Sequence, residues 1–409
     1  MHHKFCSLTL TLLLISAVVC FPLEAQDNPK EDDWEILFNG EDLTGWHLLN
    51  GRHKVEVEDG VIVGTCIAGL PNGFLATKEQ YGDFILELEV KADLLMHNSG
   101  IQFRSLSTDE YRDGRVHGYQ AEVDITPQKW SGGIYDEARK GWLYILEDPD
   151  SPAKEAFKNN QWNTYRIEAI GHTNRIWVNG VPTAHLVDDE TTKGFIALQL
   201  HGNSRPTVPH GDYQVRFRNI RIKTDHIEPS PFDDIPVVNL IPNHVSEQEK
   251  HQGFSLLWDG ESISGWKELN GPEKNWEIKN GVLTISSSDD TTSGNNVLMT
   301  EDNYDAFELK FDFKQHKEHA VIGIEYRGNG TDSKNTYGWL ASKKSKDVGE
   351  WNQGVIKVQP DGKVEYWLNG YLILEYYRNI DPPETSGIVL NDPGSPISYR
   401  SIKIRKLNE

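Results

Sequence analysis

Two carboxylates set two residues apart in an extended run are the first residues here whose types and spacing suit chemistry. In "GYQAEVDIT", residues 118 to 126, alternation puts Tyr119, Ala121, Val123 and Ile125 on one face and Gln120, Glu122 and Asp124 on the other. Two more runs divide the same way. "GIQFR" opposes Ile101 and Phe103 to Gln102 and Arg104, and "IALQLHG" (196 to 202) carries Gln199 and His201 on its polar side. A sheet that lays these strands side by side brings together an acidic pair, an arginine, a histidine and several amides, the planar polar groups suited to binding sugars. Taken singly, each run reads first as a strand with a solvated outer face.

The elements that must position these residues occur twice. "LFNGEDLTGWHLLNG" (37 to 51) returns as "LWDGESISGWKELNG" (257 to 271), "YGDFILELEVK" as "YDAFELKFDFK", "IWVNGV" as "YWLNGY", and "FRNIRIK" (217 to 223) as "YRSIKIR" (399 to 405). Agreement in order and spacing marks a tandem duplication. Each copy reads as short alternating strands, with Asn-Gly hairpins in "WVNGV" and "WLNGY" and further turns at "EDG" and "KNG". The expected fold is therefore all-β: two tandem β-sandwiches of the jelly-roll type, over residues 34–224 and 253–407. A Pro- and acid-rich linker at 225–252 joins them, packing in part through "IPVVNLI". Helix is minor, with a short turn expected in "PAKEAFKNN".

Duplication supplies an internal control. Trp46 and Trp266 stand at the same place in both copies and belong to the scaffold. The run Tyr119 to Asp124 becomes Tyr337 to Ser342 in the second copy, without either carboxylate, and on direct alignment a proline replaces His201. The segment "SGGIYDEARKGWL" (131 to 143) has no counterpart there. Chemistry, if any, belongs to the first copy. Trp130 and Trp142 flank its unique loop and are candidates to stack on a sugar ring. His97 and Asn98, ahead of "SGIQFR", line the rim of the site or form a turn, and His210 reads as a loop histidine.

Bulk properties narrow the partners. A formal net charge of -21 disfavours nucleic acid and anionic membranes. Twelve Trp, 15 Tyr and 35 Gly suit a strand-and-turn protein with aromatic sugar-binding faces. The start of the chain, His2-His3-Lys4 followed by "LTLTLLLISAVVCF", reads as a secretory signal ending after Ala25, with lipidation at Cys20 as the lesser option. Cys6 and Cys20 leave with that signal, so Cys66 has no internal disulfide partner. An exported protein, periplasmic or secreted, is expected, with no later run long enough to insert in a membrane.

"LFNGEDLTGW", "NSGIQFRS", "GYQAEVD", "GGIYDEARKGWL", "QWNTYRIEAIG", "IALQLHG" and "VRFRNIRIK" together resemble the 3-keto-disaccharide hydrolase family, whose fold is the concanavalin A-like lectin/glucanase sandwich. The resemblance covers residues 34 to 224. Residues 253 to 407 share the scaffold motifs only. Many relatives place Glu where Gln120 stands and Gln where Glu122 stands, so the carboxylates are arranged differently in this branch. The resemblance implies action on sugars oxidised at carbon 3, where the ketone acidifies the carbon 2 proton and the carbon 1 oxygen is placed for β-elimination, with water adding afterwards. Such a site needs a base, an enolate stabiliser and an acid. Glu122 or Asp124 is the candidate base, and Arg104, His201 or a divalent cation the candidate for the enolate oxygen. Tyr135 or His201 is the candidate acid. Gln102, Arg104, Gln120, Gln199, Asp136, Glu137, Arg139 and Trp142 are candidate substrate contacts. Glu122, Asp124 and His201, with Asp136 or Glu137, form an oxygen-rich set suited to calcium or manganese.

Two other readings stand beside this one. A lectin-like protein would use the same amides and rings to bind without reacting. A laminarinase-type hydrolase carries Glu-x-Asp-x-x-Glu on one strand, but here Thr126, Pro127 and Gln128 follow Asp124 and the second glutamate is missing.

Overall fold

The Asn-Gly pairs turn the chain where the pattern places them. Asn179 and Gly180 have φ of 50° and 78°, and Asn369 and Gly370 have 50° and 82°. Paired positive values are those of a type I′ hairpin, matched to the twist of the flanking strands. Asp59-Gly60 and Asn280-Gly281 repeat the device. In "PAKEAFKNN" a single 3₁₀ turn, Pro152–Glu155, starts behind the Ser151 hydroxyl, which accepts from the Ala153 N–H.

The computed structural model describes residues 33–92, 98–202, 213–269, 276–286, 297–318, 323–326, 344–377, 387–391 and 395–407. The signal-like start, His97, His210 and the segment from Tyr337 to Ser342 lie outside the described residues.

The first copy folds as two packed sheets. One has seven strands: β1 (Trp46–Asn50), β2 (Gly73–Thr77), β3 (Asn98–Leu106), β4 (His117–Asp124), β5 (Ile134–Glu137), β6 (Gly141–Tyr144) and β7 (Phe195–Leu200). Their spatial order is β6-β5-β4-β3-β7-β2-β1. The opposing sheet of nine is centred on Phe84–Ala92, which pairs with Asn163–Ile170 on one side and Tyr213–Lys223 on the other. Alternation sends Ile101, Phe103, Tyr119, Ala121, Val123 and Leu198 inward, where they meet Leu86, Leu88, Tyr165, Ile167 and Phe217 in one core. Phe103 and Tyr119 stack at 5.5 Å, an arrangement worth roughly 1 kcal/mol beyond the area it buries.

The second copy repeats the plan with sheets of eight and four strands among the described residues and has a core of its own, including Trp258, Phe307, Leu309, Ile356 and Tyr399. The shared tryptophans do the same work in both copies. Trp46 Nε1 donates to the Leu37 carbonyl at 2.7 Å, and Trp266 Nε1 to the Leu257 carbonyl at 3.0 Å. Between the copies, Val238–Asn239 adds a parallel strand to Val181–Val187, and the helix Glu247–His251 opens with a Ser246/Glu249 capping box. The buried Glu249 carboxylate then receives Lys403 Nζ at 2.9 and 3.1 Å, which ties the connecting segment to the second sandwich.

One expectation from alternation fails. Arg104 has φ of 47° at a bulge where the β3–β4 register shifts between Phe103 and Leu106. The extra residue turns Arg104 away from the Gln102 face. Its guanidinium is fully buried and donates to the carbonyls of Gly82 and Gly171, to Asn174 Oδ1 and to Asp83 at 2.8 Å. Arg104 therefore clamps strand ends of the opposing sheet and is unavailable to an enolate oxygen. Replacing it leaves the buried Asn174 Oδ1 and two strand-end carbonyls without their donor, so Arg104→Ala should cost on the order of 3 kcal/mol in urea unfolding. The molecules that remain folded should keep full specific activity.

Candidate active site

Strand pairing decides which polar residues meet. Gln102 on β3 lies directly across from Gln120 on β4, Gly100 from Glu122, Asn98 from Asp124, and Gln120 in turn from Tyr135 on β5. Gly118 faces Glu137, and Gln199 on β7 faces Phe74 on β2. Gln102, Gln120, Glu122, Gln199, Tyr135 and Glu137 thus share the sheet face turned away from the core. A solvated outer face is ruled out by burial, since every residue of β4 is buried and Gln102, Gln120, Glu122 and Gln199 are at most 2% exposed.

A directed chain of hydrogen bonds crosses this face. The Ser105 hydroxyl donates to Gln102 Oε1 at 2.7 Å, Gln102 Nε2 to Gln120 Oε1 at 2.7 Å, and Gln120 Nε2 to Glu122 Oε2 at 2.8 Å. The chain lies flat because Gly100 has no side chain. A Cβ there would come within 2.3 Å of Gln120 Cδ. Burial pushes the Glu122 carboxyl up to about 8, the charges of Asp124 and Glu137 add to the shift, and the Gln120 hydrogen bond opposes it.

Tyr135 and Glu137 form the neighbouring wall. Burial raises the Tyr135 phenol, and the charges of Glu137, Glu122 and Asp136 raise it further, so its proton is held at neutral pH. Burial also raises Glu137, against the pull of the Arg115 guanidinium that bonds it. Asn72 Nδ2 and Gln199 Nε2 reach Glu137 at the long distance of 3.5 Å each. The Gln199 Oε1 atom is buried without a partner among the described residues, as is Asn98 Oδ1. Buried acceptors left open in this way suit hydroxyls brought by a ligand. Trp142, partly exposed on β6, sets its ring edge-on to Tyr135 at 5.2 Å.

Four candidates take other positions. Both Asp124 oxygens are occupied, Oδ1 by the Thr126 N–H at 2.8 Å and Oδ2 by the Trp130 N–H at 3.1 Å, so this carboxylate holds the turn after β4. Asp136 points to the opposite side of β5, where Arg139 Nε bonds it at 2.7 Å. Arg139 itself lies over the Tyr119 ring at 5.3 Å and donates to Thr191, a core-side arrangement. His201 follows β7, half-buried, and its carbonyl accepts from the Tyr213 hydroxyl at 2.5 Å. The metal set suggested by Glu122, Asp124 and His201 does not fit this arrangement. Asp124 is spent on backbone donors, and among the described residues no three His, Cys, Asp or Glu side chains gather to hold an ion.

Sequence reasoning missed Arg115, Asn72 and Phe74. Arg115 is the cation bonded to Glu137, and its guanidinium lies 5.6 Å from the centre of the Phe74 ring. Extending the comparison between copies four residues upstream of Tyr119 sets Arg115 against Ser333, which would have marked it. Asn72 sits in a loop, and Phe74 on a strand whose outward face is apolar, packing with Leu49, Ala76, Val116, Phe195 and Ala197. Neither has a local signal.

The family model described as 3-keto-alpha-glucoside-1,2-lyase-like domain matches the chain twice, over residues 33–223 and 253–405. Among solved structures, a putative glycosyl hydrolase from Parabacteroides distasonis is 22% identical over 41% of this chain and 100% of its own, with a TM-score of 0.36. The carbohydrate-binding module CBM66 from Bacillus subtilis is 18% identical over 44% and 95%, with a TM-score of 0.31. The Bacillus licheniformis beta-glucanase is 13% identical over 47% and 97%, with a TM-score of 0.33. No curated protein matches the chain.

The raised Glu122 carboxyl makes a stability prediction. Its folded-state value of about 8 lies above the ordinary 4.5, so the stability it contributes is complete below 4.5 and is lost as pH rises through 8. Glu122→Gln cannot ionise and escapes that loss. In thermal unfolding from about pH 5 to 9, the variant's Tm should gain on the wild type's up to about pH 8 and then run parallel to it.

Proposed function

The chain belongs to the 3-keto-alpha-glucoside-1,2-lyase-like family, a carbohydrate-active family, and from that premise we propose that its first sandwich cleaves glycosides already oxidised at carbon 3. The observation that carries this reading is Glu122, a buried carboxyl raised to about 8 and bonded by one amide, beside a phenol that keeps its proton. A raised carboxylate is a stronger base than an ordinary one, which suits removal of a proton from carbon.

In the proposed reaction, ionised Glu122 takes the carbon 2 proton of the 3-keto sugar. The electron pair moves to the carbon 3 oxygen as an enolate, for which Arg115 is the nearby positive charge in place of Arg104. Collapse of the enolate re-forms the ketone, makes the carbon 1–carbon 2 double bond and breaks the carbon 1–oxygen bond. The Tyr135 hydroxyl gives its proton to the departing oxygen. Water added across the double bond then completes a net hydrolysis. Gln102, Gln120, Gln199 and Asn72 hold the sugar hydroxyls, and Trp142 bounds the ring. No step is routed through a metal, since the donor set does not fit one. The basic and apolar start supports export as part of the same proposal. No helix among the described residues is long and apolar enough to cross a membrane.

The amide row with its open Gln199 acceptor also supports a binding protein that does not react. Incubation of the mature protein with 3-keto-glucosides and with their unoxidised parents separates the readings. Release of the aglycone from the keto substrates alone is expected. Release from neither, with sugar binding intact, favours the binding protein, and release from the parents favours a conventional hydrolase. Glu122→Gln should lower turnover roughly 100- to 10,000-fold while leaving affinity within a few-fold. Because the ionised carboxylate is the active form, kcat/KM should climb with pH and level off above about 8.

A further inference from the structure

The second sandwich reaches the first beside the proposed site. Its Asn369-Gly370 hairpin turn meets Ile145, just past β6, so closely that a Cβ on Gly370 would lie 2.8 Å from Ile145 Cγ1. The next residue, Tyr371, packs against the core of the first sandwich. Its ring meets Trp130 edge-on at 6.4 Å, Trp130 meets Trp142 edge-on at 4.9 Å, and Trp142 meets Tyr135 edge-on at 5.2 Å. Four rings thus run without a break from the second sandwich to the phenol proposed as the acid.

The far end of this run is rigid. Asn369 Oδ1 accepts from the Gln353 N–H at 2.9 Å, and Asn369 Nδ2 donates to the Lys344 carbonyl and to Asn352 Oδ1 at 2.8 and 2.9 Å. Lys344 Nζ lies 3.6 Å from the centre of the Tyr371 ring. Trp130 needs such a support. Its Nε1 is buried with no hydrogen-bond partner among the described residues, so ring packing, and not a polar anchor, sets the orientation of its indole. Trp130 and Trp142 flank the loop that only the first copy possesses.

We propose that Tyr371 is a positioning residue for the first sandwich: it fixes Trp130 and, through Trp142, the orientation of Tyr135. The second copy then serves as the buttress of its neighbour's site, which requires an intact hairpin and no carboxylates of its own. This rests on Tyr135 acting as the acid, so the experiment carries one readout that needs no substrate.

In the full chain, Tyr371→Ala should change the near-UV circular dichroism of the unliganded protein through the coupled indoles of Trp130 and Trp142. It should also lower kcat on a 3-keto-glucoside about tenfold with KM within twofold. Tyr371→Phe, which keeps the ring, should restore both. In a Tyr135→Phe background the further change to Ala should cost no more kcat, because the group it positions is already gone. A tenfold loss that persists in that background, or unchanged kcat per folded molecule, overturns the proposal. An unchanged dichroism overturns it independently. If the wild type turns over no 3-keto substrate, the functional reading fails, and the dichroism alone decides whether Tyr371 orders the indoles.

Discussion

A carboxyl group buried on the outer face of a sheet is the constraint around which the first sandwich is arranged. Moving Glu122 out of water disfavours its charged form, and the structure offsets this only in part, with one amide donor. That donor is itself held by a second amide and a hydroxyl, so Ser105, Gln102 and Gln120 have a single consistent orientation. Gly100 has to be a glycine for the chain to lie across β3. The neighbouring carboxylates are kept apart by giving each a different partner: Asp124 takes backbone N–H groups, Glu137 takes Arg115, and Asp136 takes Arg139 on the other side of the sheet. Glu122 is left with a single amide donor, and burial raises its carboxyl.

The two copies divide the work along physical lines. Both retain what closes a sandwich: the paired tryptophans, the type I′ hairpins, the long central strands and separate cores. The first adds a loop that supplies β5 and β6, and with them Tyr135, Glu137 and Trp142. The connecting segment does not hang free. It adds a strand to one sandwich and, through Glu249 and Lys403, a buried ion pair to the other. Removing either partner would leave an uncompensated buried charge.

Much of this was legible in the chain before folding. Side chains alternate with a period of two along any strand, so the inward set Tyr119, Ala121, Val123 and the outward set Gln120, Glu122 followed from order alone. Hairpins followed from Asn-Gly, the duplication from repeated motifs, and the restriction of chemistry to the first copy from what the second lacks. Parity fails, however, wherever a bulge inserts a residue, and the backbone at Arg104, not its neighbours in sequence, sent its guanidinium to the opposing sheet. Parity is equally silent about how a side chain is spent. Asp124 shares a strand face with Glu122, yet its oxygens turn to a loop six residues on. Arg115, Asn72 and Phe74 enter the site because β2 and the turn before β4 are brought beside β5 and β7, contacts between residues more than 20 positions apart. Local order determined which residues face together, because strand geometry is short-ranged. Which of them remain chemically free was decided only by tertiary packing, because burial and hydrogen-bond partners come from distant parts of the chain.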